Sequence, residues 1–344
     1  MKRALQAAGG LALAALLLLW VLHGKDPKAI SAALVGASLP LLALGGAINL
    51  GHNVFRTWRW GLLLDPVSPG LPFRPMFSAI MIGYLVSWIV PARLGEVVRP
   101  ALLSAKKNVP LGASLGSVVA DRLLDGVALA VLFAMGAQFA AFSGTAAALA
   151  GRIRTGALVL AVAAVAFCVV LVLGSAHGSS IETRLDRAPR AVRWAGRVFV
   201  SVAAGSDALR RPRLLIPILA HSLLAWLTIA LGTWLGMRAA RAEVGFADVL
   251  VLLLPLAFGI ALPTPGGAGG YHAAVAFGLT GLFGVPADIA LGAGILMHLA
   301  IVVPVLALGP ILLRVEQVSW HDVLAAGRHV KSLGAGPARM EAAS

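Results

Sequence analysis

The stretch Pro91-Ala-Arg-Leu-Gly-Glu-Val-Val-Arg-Pro100 interrupts an apolar segment that extends over residues 76–104. Proline breaks helices, and three charges within ten residues would be costly in the middle of a helix that crosses a bilayer. The segment is long enough for two half-helices that fold back to the same side. It therefore predicts a re-entrant hairpin rather than a single crossing.

A second apolar segment, residues 249–283, is interrupted by Pro263-Thr-Pro-Gly-Gly-Ala-Gly-Gly270. A helix does not continue through such a run of glycine and proline. Irregular backbone is tolerated at membrane depth only where it is buried in protein or lines a cavity. We therefore expect a second re-entrant hairpin with its tip at a cavity. The run does not fit the GxxxxGK[ST] pattern of a nucleotide-binding loop.

The composition of the 344-residue chain places both segments in a membrane protein. Hydrophobic residues make up 59% and charged residues only 12%, about half the share of a soluble protein. The net charge of +14 comes from short islands between long apolar runs. These features exclude a soluble enzyme, a disordered tail and an ordinary nucleic-acid binder.

Six further apolar runs are long enough to cross a bilayer as helices. They cover residues 4–22, 32–50, 115–140, 156–174, 214–237 and 288–313. The first is interpreted as a retained helix, because no small-residue cleavage site follows it. The predicted fold class is an all-α polytopic membrane protein with about six full transmembrane helices and two opposed re-entrant hairpins. One membrane domain would cover residues 1–313, with a basic loop at 175–213, and a tail would cover 314–344.

The distribution of basic residues predicts the orientation. With the N-terminus inside, 19 of the 28 Lys and Arg residues are cytoplasmic, six are outside, and Arg93, Arg99 and Arg122 lie at membrane depth. Both termini would be cytoplasmic, in a bacterial inner membrane. The hairpins would enter from opposite sides, so that their tips could meet. The loop at 175–213 is either a basic helix on anionic inner-leaflet lipids or a solvated linker.

The first candidate site residues are Arg93, Glu96 and Arg99, which recur every three residues and so share one helix face. Charges at membrane depth normally face a cavity and form pairs. Because guanidinium groups suit bidentate contact with phosphate, an anion-binding pocket is one interpretation. A brace that only holds the hairpin is the other.

Asp121, Arg122 and Asp125 form a second candidate cluster near the start of the run at 115–140. Arg122 can reach Asp125 at three residues' distance, which would satisfy both charges locally. Alternatively, the two carboxylates hold Arg93 or Arg99 across the cavity, or exchange protons.

The Gly-rich run supplies the third set of candidates for contact with substrate. They are Pro263, Pro265, Gly266, Gly267 and Gly269, followed by His272. Bare backbone amides can approach a phosphate closely, although a simple surface turn is the alternative.

The fourth set lies at the inner end of the second apolar run and consists of Asn49, His52, Asn53, Arg56, Arg59 and Trp60. Arg56, Arg59 and Trp60 suit anchoring at the lipid headgroups, where tryptophan is common. Alternatively, Asn53 and Arg56 guard the mouth of the cavity. The single cysteine excludes a disulfide within the chain, and no histidine pair has metal-ligand spacing, so we expect no metal and no cofactor.

With these motifs in view, the chain resembles the lysylphosphatidylglycerol synthase/flippase transmembrane family between about residues 32 and 313. The matching motifs, in order, are Asn49…Arg56-x-x-Arg59-Trp60, Pro91-x-Arg93-x-Gly95-Glu96-x-x-Arg99, Arg122-x-x-Asp125 and Pro263-x-Pro265-Gly266-Gly267-x-Gly269. Many relatives place a Glu shortly after the Gly-rich turn, where this chain has Tyr271-His272. His272 could replace that acid as a pH-sensitive group.

The resemblance implies a flippase that moves an anionic or modified phospholipid, or a lipid-linked substrate, between leaflets. The aminoacyl-transferase domain of the larger family members is not seen, so aminoacyl transfer is not expected. Two alternatives stay open: an intramembrane enzyme that modifies a lipid headgroup, and a scaffold for a partner lipid or envelope synthase. The expected partners are membrane lipids and a synthase rather than nucleic acid.

Overall fold

The computed structural model describes residues 27–90, 94–175, 207–262 and 264–323, with a few scattered positions beyond them. Within these ranges the regular structure is entirely helical, as predicted for an all-α polytopic membrane protein. Some of the sequence predictions lie outside the described residues. These are the first apolar run, Pro91, Arg93, Pro263, most of the basic loop and the end of the tail.

The predicted runs at 115–140, 156–174, 214–237 and 288–313 each correspond to one helix, whereas the run at 32–50 is divided between two. The described helices follow in chain order. They are α1 (Pro27–Val35), α2 (Leu39–Leu64), α3 (Phe73–Ile89), α4 (Gly95–Lys107), α5 (Leu111–Phe139), α6 (Gly144–Ala148), α7 (Ala150–Ser175), α8 (Pro212–Ala239), α9 (Phe246–Ala261), α10 (Gly270–Ala276) and α11 (Ala287–Val315). Short 3₁₀ turns cover Asp207–Arg210 and Pro265–Gly267, and a π-helical segment, Phe277–Leu282, continues α10. Helices α7, α8 and α11 are long and apolar enough to cross a membrane.

Helix α2 differs from its prediction, because it ends at Leu64 instead of near residue 50. The sequence suggested a stop where Arg56 and Arg59 would reach the headgroups. In the structure both arginines are buried and paired with carboxylates of α5, so the helix continues through them.

The first hairpin consists of α3 and α4, which pack antiparallel to each other. The carbonyl oxygen of Gly83 lies where a Cβ atom of Gly95 would be. In addition, Val98 and Leu102 of α4 pack with Ile82 and Val86 of α3 in one apolar cluster. Glycine therefore allows the two backbones to touch at the tip, and apolar side chains hold the rest of the hairpin.

The second hairpin consists of α9 and the segment formed by α10 and its π-helical continuation. Here Gly259 and Gly270 are in contact, as Gly83 and Gly95 are in the first hairpin. The connecting tip has positive φ at Gly266, Gly267 and Gly269, with values of 60°, 67° and 79°. Residues with a side chain rarely adopt this conformation, which explains the Gly-rich sequence.

The tips of the two hairpins meet, as the sequence predicted. A Cβ atom on Gly266 would lie 3.2 Å from ring carbon Cε3 of Trp88, near the end of α3. His298 of α11 joins this contact, since its Nε2 lies 2.9 Å from the carbonyl oxygen of Gly266. The ring centroids of Trp88 and His298 are 5.5 Å apart.

The described helices form a structural repeat, because the two halves of the chain have the same order of elements. Each half has a long helix, a hairpin and a second long helix: α2 to α5 in the first, and α8 to α11 in the second. Asn108-Val109-Pro110 and Gly284-Val285-Pro286 end the two hairpins in the same way. Asn108 and Gly284 have positive φ, and each proline caps the N-terminus of the next long helix.

The packing between the halves is reciprocal. Helix α5 packs through Gly136 against Leu250 of α9, and α11 packs through Gly309 against Leu85 of α3. Helices α2 and α8 are antiparallel, with Gly45 in contact with Gly232 near one end and Leu63 clustered with Ile218 near the other. Each half thus supports the hairpin of the other, in the manner of an inverted repeat.

Candidate functional site

The centre of the site is Asp121 on α5, a fully buried carboxylate that faces arginines from two other helices. Arg59 of α2 donates to its Oδ1 from Nε at 2.9 Å and from Nη2 at 2.5 Å. Arg99 of α4 donates to its Oδ2 from Nη2 at 2.8 Å. The carboxylate therefore connects α2, α4 and α5 inside the protein, where isolated charges would be unstable.

Asp125, one turn along α5 on the same face, is the second carboxylate. It accepts hydrogen bonds from Nη2 of Arg59 at 2.8 Å, from Nε1 of Trp226 at 3.1 Å and from Arg56. Arg122 also pairs with it, at 3.0 Å from Nη1 to Oδ2. The predicted local pair between Arg122 and Asp125 is thus part of a larger network.

Arg122 and Glu96 form the accessible end of this network. The side chain of Arg122 is 38% exposed and that of Glu96 27% exposed, whereas Arg56, Arg59 and Arg99 are 7% exposed or less. Nε of Arg122 lies 3.4 Å from Oε2 of Glu96, which is long for an ion pair. Among the described residues of the network, four arginines face three carboxylates, so one positive charge is in excess.

Arg99, a predicted substrate contact, does not line the cavity described below. Its guanidinium carbon lies 4.9 Å from the ring centroid of Trp60, and its Nη2 donates to Asp121. Its buried Nε has no hydrogen-bond partner among the described residues. The contacts with Trp60 and Asp121 both hold the guanidinium of Arg99 away from the cavity. Arg99 therefore links α4 to α5 through Asp121, the arrangement expected if the carboxylates hold Arg99. Its direct contact with substrate stays a prediction.

The anchoring interpretation is wrong for Arg59 and Trp60. Both are fully buried, and Nε1 of Trp60 donates to Oγ of Ser117 at 2.8 Å. The tryptophan at the surface is Trp58, which is 46% exposed and lies on another face of α2.

A cavity of about 640 Å³ opens beside the accessible end of the network. Its wall includes nine of the predicted site residues, namely Asn49, His52, Asn53, Arg56, Glu96, Arg122, Asp125, Gly266 and Gly267. Arg59, Arg99, Asp121, Gly269 and His272 lie behind this wall. Arg93, Pro263 and the side chain of Pro265 are outside the described part of the chain.

The cavity has an apolar opening on one side. Leu160, Phe167 and Cys168 of α7 line it together with Phe258 of α9. Phe167 is 57% exposed and Phe258 is 68% exposed, so the cavity continues to the outer surface of the helix bundle between them. The space is therefore charged at one end and apolar at the other.

His272 takes part in an aromatic group behind the second tip. Its ring centroid is 4.8 Å from that of His298, and the centroid of Tyr271 is 5.3 Å from that of His298. Tyr271 lines the cavity, whereas His272 is only 8% exposed and does not. The idea that His272 replaces an acid used by relatives stays a prediction.

The sequence interpretation missed Tyr84 and Trp226, both on the cavity wall. Arg56 donates to the hydroxyl of Tyr84, and Trp226 donates to Asp125. The available signal was an aromatic residue with a polar tip inside an apolar helix, because such tips need a partner when buried. Within the described ranges, no three His, Cys, Asp or Glu residues are grouped as metal ligands.

Comparison with known proteins gives one family. The model of the lysylphosphatidylglycerol synthase TM region matches residues 7–309, which is most of the chain. No curated protein matches the chain. The family match includes the whole charged network, both hairpins and the cavity between them.

Proposed function

The chain belongs to the lysylphosphatidylglycerol synthase TM-region family, and from this membership we propose that it moves an anionic lipid between membrane leaflets. The family supports a role connected with membrane lipids. The finer proposal rests on one observation, the cavity with arginines at one end and an apolar opening at the other. A phospholipid has the same division of charged and apolar parts.

The charged end is suited to a phosphate group. Arg122 and Arg56 both line the cavity, and a guanidinium can donate two parallel hydrogen bonds to phosphate oxygens. Asp125 holds Arg122 through its Nη1, which orients the guanidinium before the lipid arrives. The 3.4 Å contact with Glu96 is the weaker one, so a phosphate would compete with Glu96 for Nε.

The apolar opening is suited to acyl chains. Phe167 and Phe258 are exposed on the outer surface of the helix bundle and also line the cavity. A lipid could therefore place its headgroup inside while its chains stay between α7 and α9 or in the bilayer. This arrangement avoids transfer of the chains into water, which is unfavourable by about 0.8 kcal/mol per CH₂ group.

The contact between the hairpin tips supports a mechanism of alternating access. Trp88 and Gly266 touch at the tips, and each hairpin packs on a long helix of the other half. Rocking of one half against the other would separate the tips and change the side from which the cavity is open. The energy would come from an ion gradient, the membrane potential or the lipid gradient.

The cavity gives less support to a headgroup-modifying enzyme. Of the acid or base candidates, Asp121 is enclosed by arginines and His272 lies behind the wall, which leaves Glu96. The proposed location is the bacterial inner membrane with both termini cytoplasmic, as the basic residues predict. A partner synthase remains part of this proposal as the source of the lipid.

Translocation of a fluorescent phosphatidylglycerol in reconstituted vesicles tests the function. We expect Arg122→Gln to lower the rate about tenfold, since a charge-assisted hydrogen bond contributes roughly 1.5–3 kcal/mol. Arg152→Gln is the matched control, because Arg152 is exposed and does not line the cavity. Equal rates for the two variants would contradict the site, and a chemically modified lipid found by mass spectrometry would favour the enzyme.

A further inference from the structure

Six buried polar atoms on the cavity wall have no hydrogen-bond partner among the described residues. Two of them, Oε2 of Glu96 and Nε of Arg122, belong to the charged end. The other four are Nδ2 of Asn49, Oδ1 of Asn53, Oγ1 of Thr264 and the hydroxyl of Tyr271. All four residues are at least nine-tenths buried. Buried polar atoms are nearly always hydrogen-bonded, and leaving one unpaired is unfavourable by about 1–3 kcal/mol. Several unpaired polar atoms on one cavity wall therefore indicate a binding site for a polar ligand.

These atoms come from elements that meet at the second hairpin. Asn49 and Asn53 are one turn apart on α2, Thr264 is in the tip, and Tyr271 is in the first turn of α10. Asn53 is held in place because its Nδ2 donates to the carbonyl of Leu50 at 3.0 Å. The ring of Tyr271 packs beside that of His298. We call these four residues the neutral subsite.

The neutral subsite adjoins the charged end of the cavity. Arg56 follows Asn53 by about one turn of α2 and also lines the cavity. None of the four side chains carries a charge at neutral pH. A headgroup whose phosphate lies at Arg56 and Arg122 would thus extend an uncharged portion toward Asn49, Thr264 and Tyr271.

The donors and acceptors of the neutral subsite limit which chemical groups the uncharged part of the headgroup can carry. The Nδ2 of Asn49 only donates, the Oδ1 of Asn53 only accepts, and the two hydroxyls do both. A phosphate or carboxylate cannot donate to Asn53, and an ammonium group cannot accept from Asn49. A hydroxyl group can do both at once.

We propose that the neutral subsite binds hydroxyl groups, so that the lipid carries a polyol or a sugar on its phosphate. This inference rests on the proposed function, because it takes the same cavity as the lipid site. It adds the class of headgroup: an anionic phosphodiester that bears hydroxyl groups is bound in preference to one without them.

Binding of short-chain lipids to the full protein in detergent tests this inference separately from transport. The probes are phosphatidylglycerol, phosphatidylinositol and phosphatidylethanol, the last being a phosphodiester of the same charge without free hydroxyls. We expect at least one of the two hydroxyl-bearing lipids to bind about tenfold more tightly than phosphatidylethanol. Tighter binding of phosphatidylinositol would indicate a ring, and tighter binding of phosphatidylglycerol an open polyol.

Tyr271→Phe and Thr264→Val each remove one hydroxyl and keep the shape of the side chain. We expect each to weaken binding of the preferred lipid about fivefold and to leave phosphatidylethanol unchanged. Thr228→Val is the matched control, since the hydroxyl of Thr228 donates to the carbonyl of Leu224 at 2.6 Å on an exposed face of α8.

Two results would overturn the inference: equal affinity of the wild-type protein for all three lipids, or equal losses for all three in both variants. The proposed function fails independently. If the selectivity is present but vesicles show no translocation, the hydroxyl subsite stands and the flippase proposal does not. If translocation occurs without selectivity, the reverse holds.

Discussion

The guanidinium of Arg59 and the carboxylate of Asp121 form a fully buried ion pair between α2 and α5. Two hydrogen bonds, 2.9 and 2.5 Å long, join Nε and Nη2 of Arg59 to Oδ1 of Asp121. Neither side chain has any exposed surface. The pair lies behind the cavity wall and fixes the position of α5. The same helix presents Asp125 and Arg122 to the cavity.

Replacement of Arg59 should therefore be strongly destabilising. We expect Arg59→Met to lower the free energy of unfolding by about 3 kcal/mol, because it leaves buried carboxylate charge with fewer partners. Unfolding in SDS, followed by circular dichroism, measures the change. Arg74→Met is the control, since the side chain of Arg74 is 70% exposed and should contribute less than about 1 kcal/mol. Equal losses would contradict the importance of burial.

Two tryptophans on α2 provide a second test of the buried network. Trp60→Phe removes the hydrogen bond to Ser117 and weakens the contact with the Arg99 guanidinium. We expect a loss of about 2 kcal/mol in unfolding free energy. Trp58→Phe, at a position 46% exposed, should lose less than half of that. If Trp60 anchored the protein at the lipid headgroups, Trp58→Phe would lower the free energy of unfolding more than Trp60→Phe.

The glycine contact in the first hairpin can be tested by adding one methyl group. In Gly95→Ala the new Cβ would collide with the backbone of Gly83, so the helices must separate. We expect a loss of about 1–3 kcal/mol and a lower yield of folded protein. In the control Gly112→Ala the Cβ meets no atom within 4 Å, and higher helix propensity should add about 0.5–1 kcal/mol. Melting temperatures that change in the same direction would refute the close contact.

Glu316, just beyond the end of α11, should make stability depend on pH. Burial acts to raise the pKa of Glu316, but hydrogen bonds from Lys106 and Ser78 and the charges of Lys106 and Arg74 lower it below the usual value. Ser78 Oγ lies 3.0 Å from Oε1, and Lys106 Nζ lies 3.1 Å from Oε2. The ionised carboxylate thus joins the first hairpin to α11.

Because the pKa of Glu316 is lower in the folded than in the unfolded chain, its stabilisation is complete above the unfolded value of about 4.3 and is lost as the pH falls through the folded pKa. We expect the difference in melting temperature between wild type and Glu316→Gln to be constant from about pH 7 to pH 5 and to shrink below about pH 4. Glu243→Gln, at an exposed position, controls for the loss of a carboxylate. A difference that does not change with pH would show that charge is not involved.

Cys168, the single cysteine, offers a direct test of the apolar opening. Because its side chain lines the cavity beside Phe167, a bulky maleimide attached there should obstruct the acyl chains. We expect labelled protein to translocate lipid about tenfold more slowly, as a steric block contributing roughly 1.4 kcal/mol would produce. The control carries Cys168→Ser and Val159→Cys, which moves the label to an exposed α7 position outside the cavity wall. Similar slowing in both proteins would argue against an opening at Cys168.

The hairpins and the long helices were largely predictable because their signals are local. Clustered proline and glycine stop a helix in an apolar segment, whereas single prolines such as Pro255 and Pro304 stay inside α9 and α11. About 20 apolar residues suffice to cross a bilayer. The structural repeat was not predictable in this way. It depends on corresponding backbone turns, such as those at Asn108 and Gly284, which need not share a residue type.

An all-α membrane protein, two interrupted hairpins and most of the charged residues between them follow from the sequence alone. Which arginine faces the cavity depends on how the helices pack. Helical spacing placed Glu96 and Arg99 on one face, but the neighbours of that face come from α2 and α5. Arg99 is paired with Asp121 of α5 inside the protein, whereas the guanidinium of Arg122 is accessible beside the cavity. Pairing of charges between distant segments thus distinguishes Arg99 from Arg122, the candidate substrate-binding arginine. Local spacing along a helix does not encode such pairing.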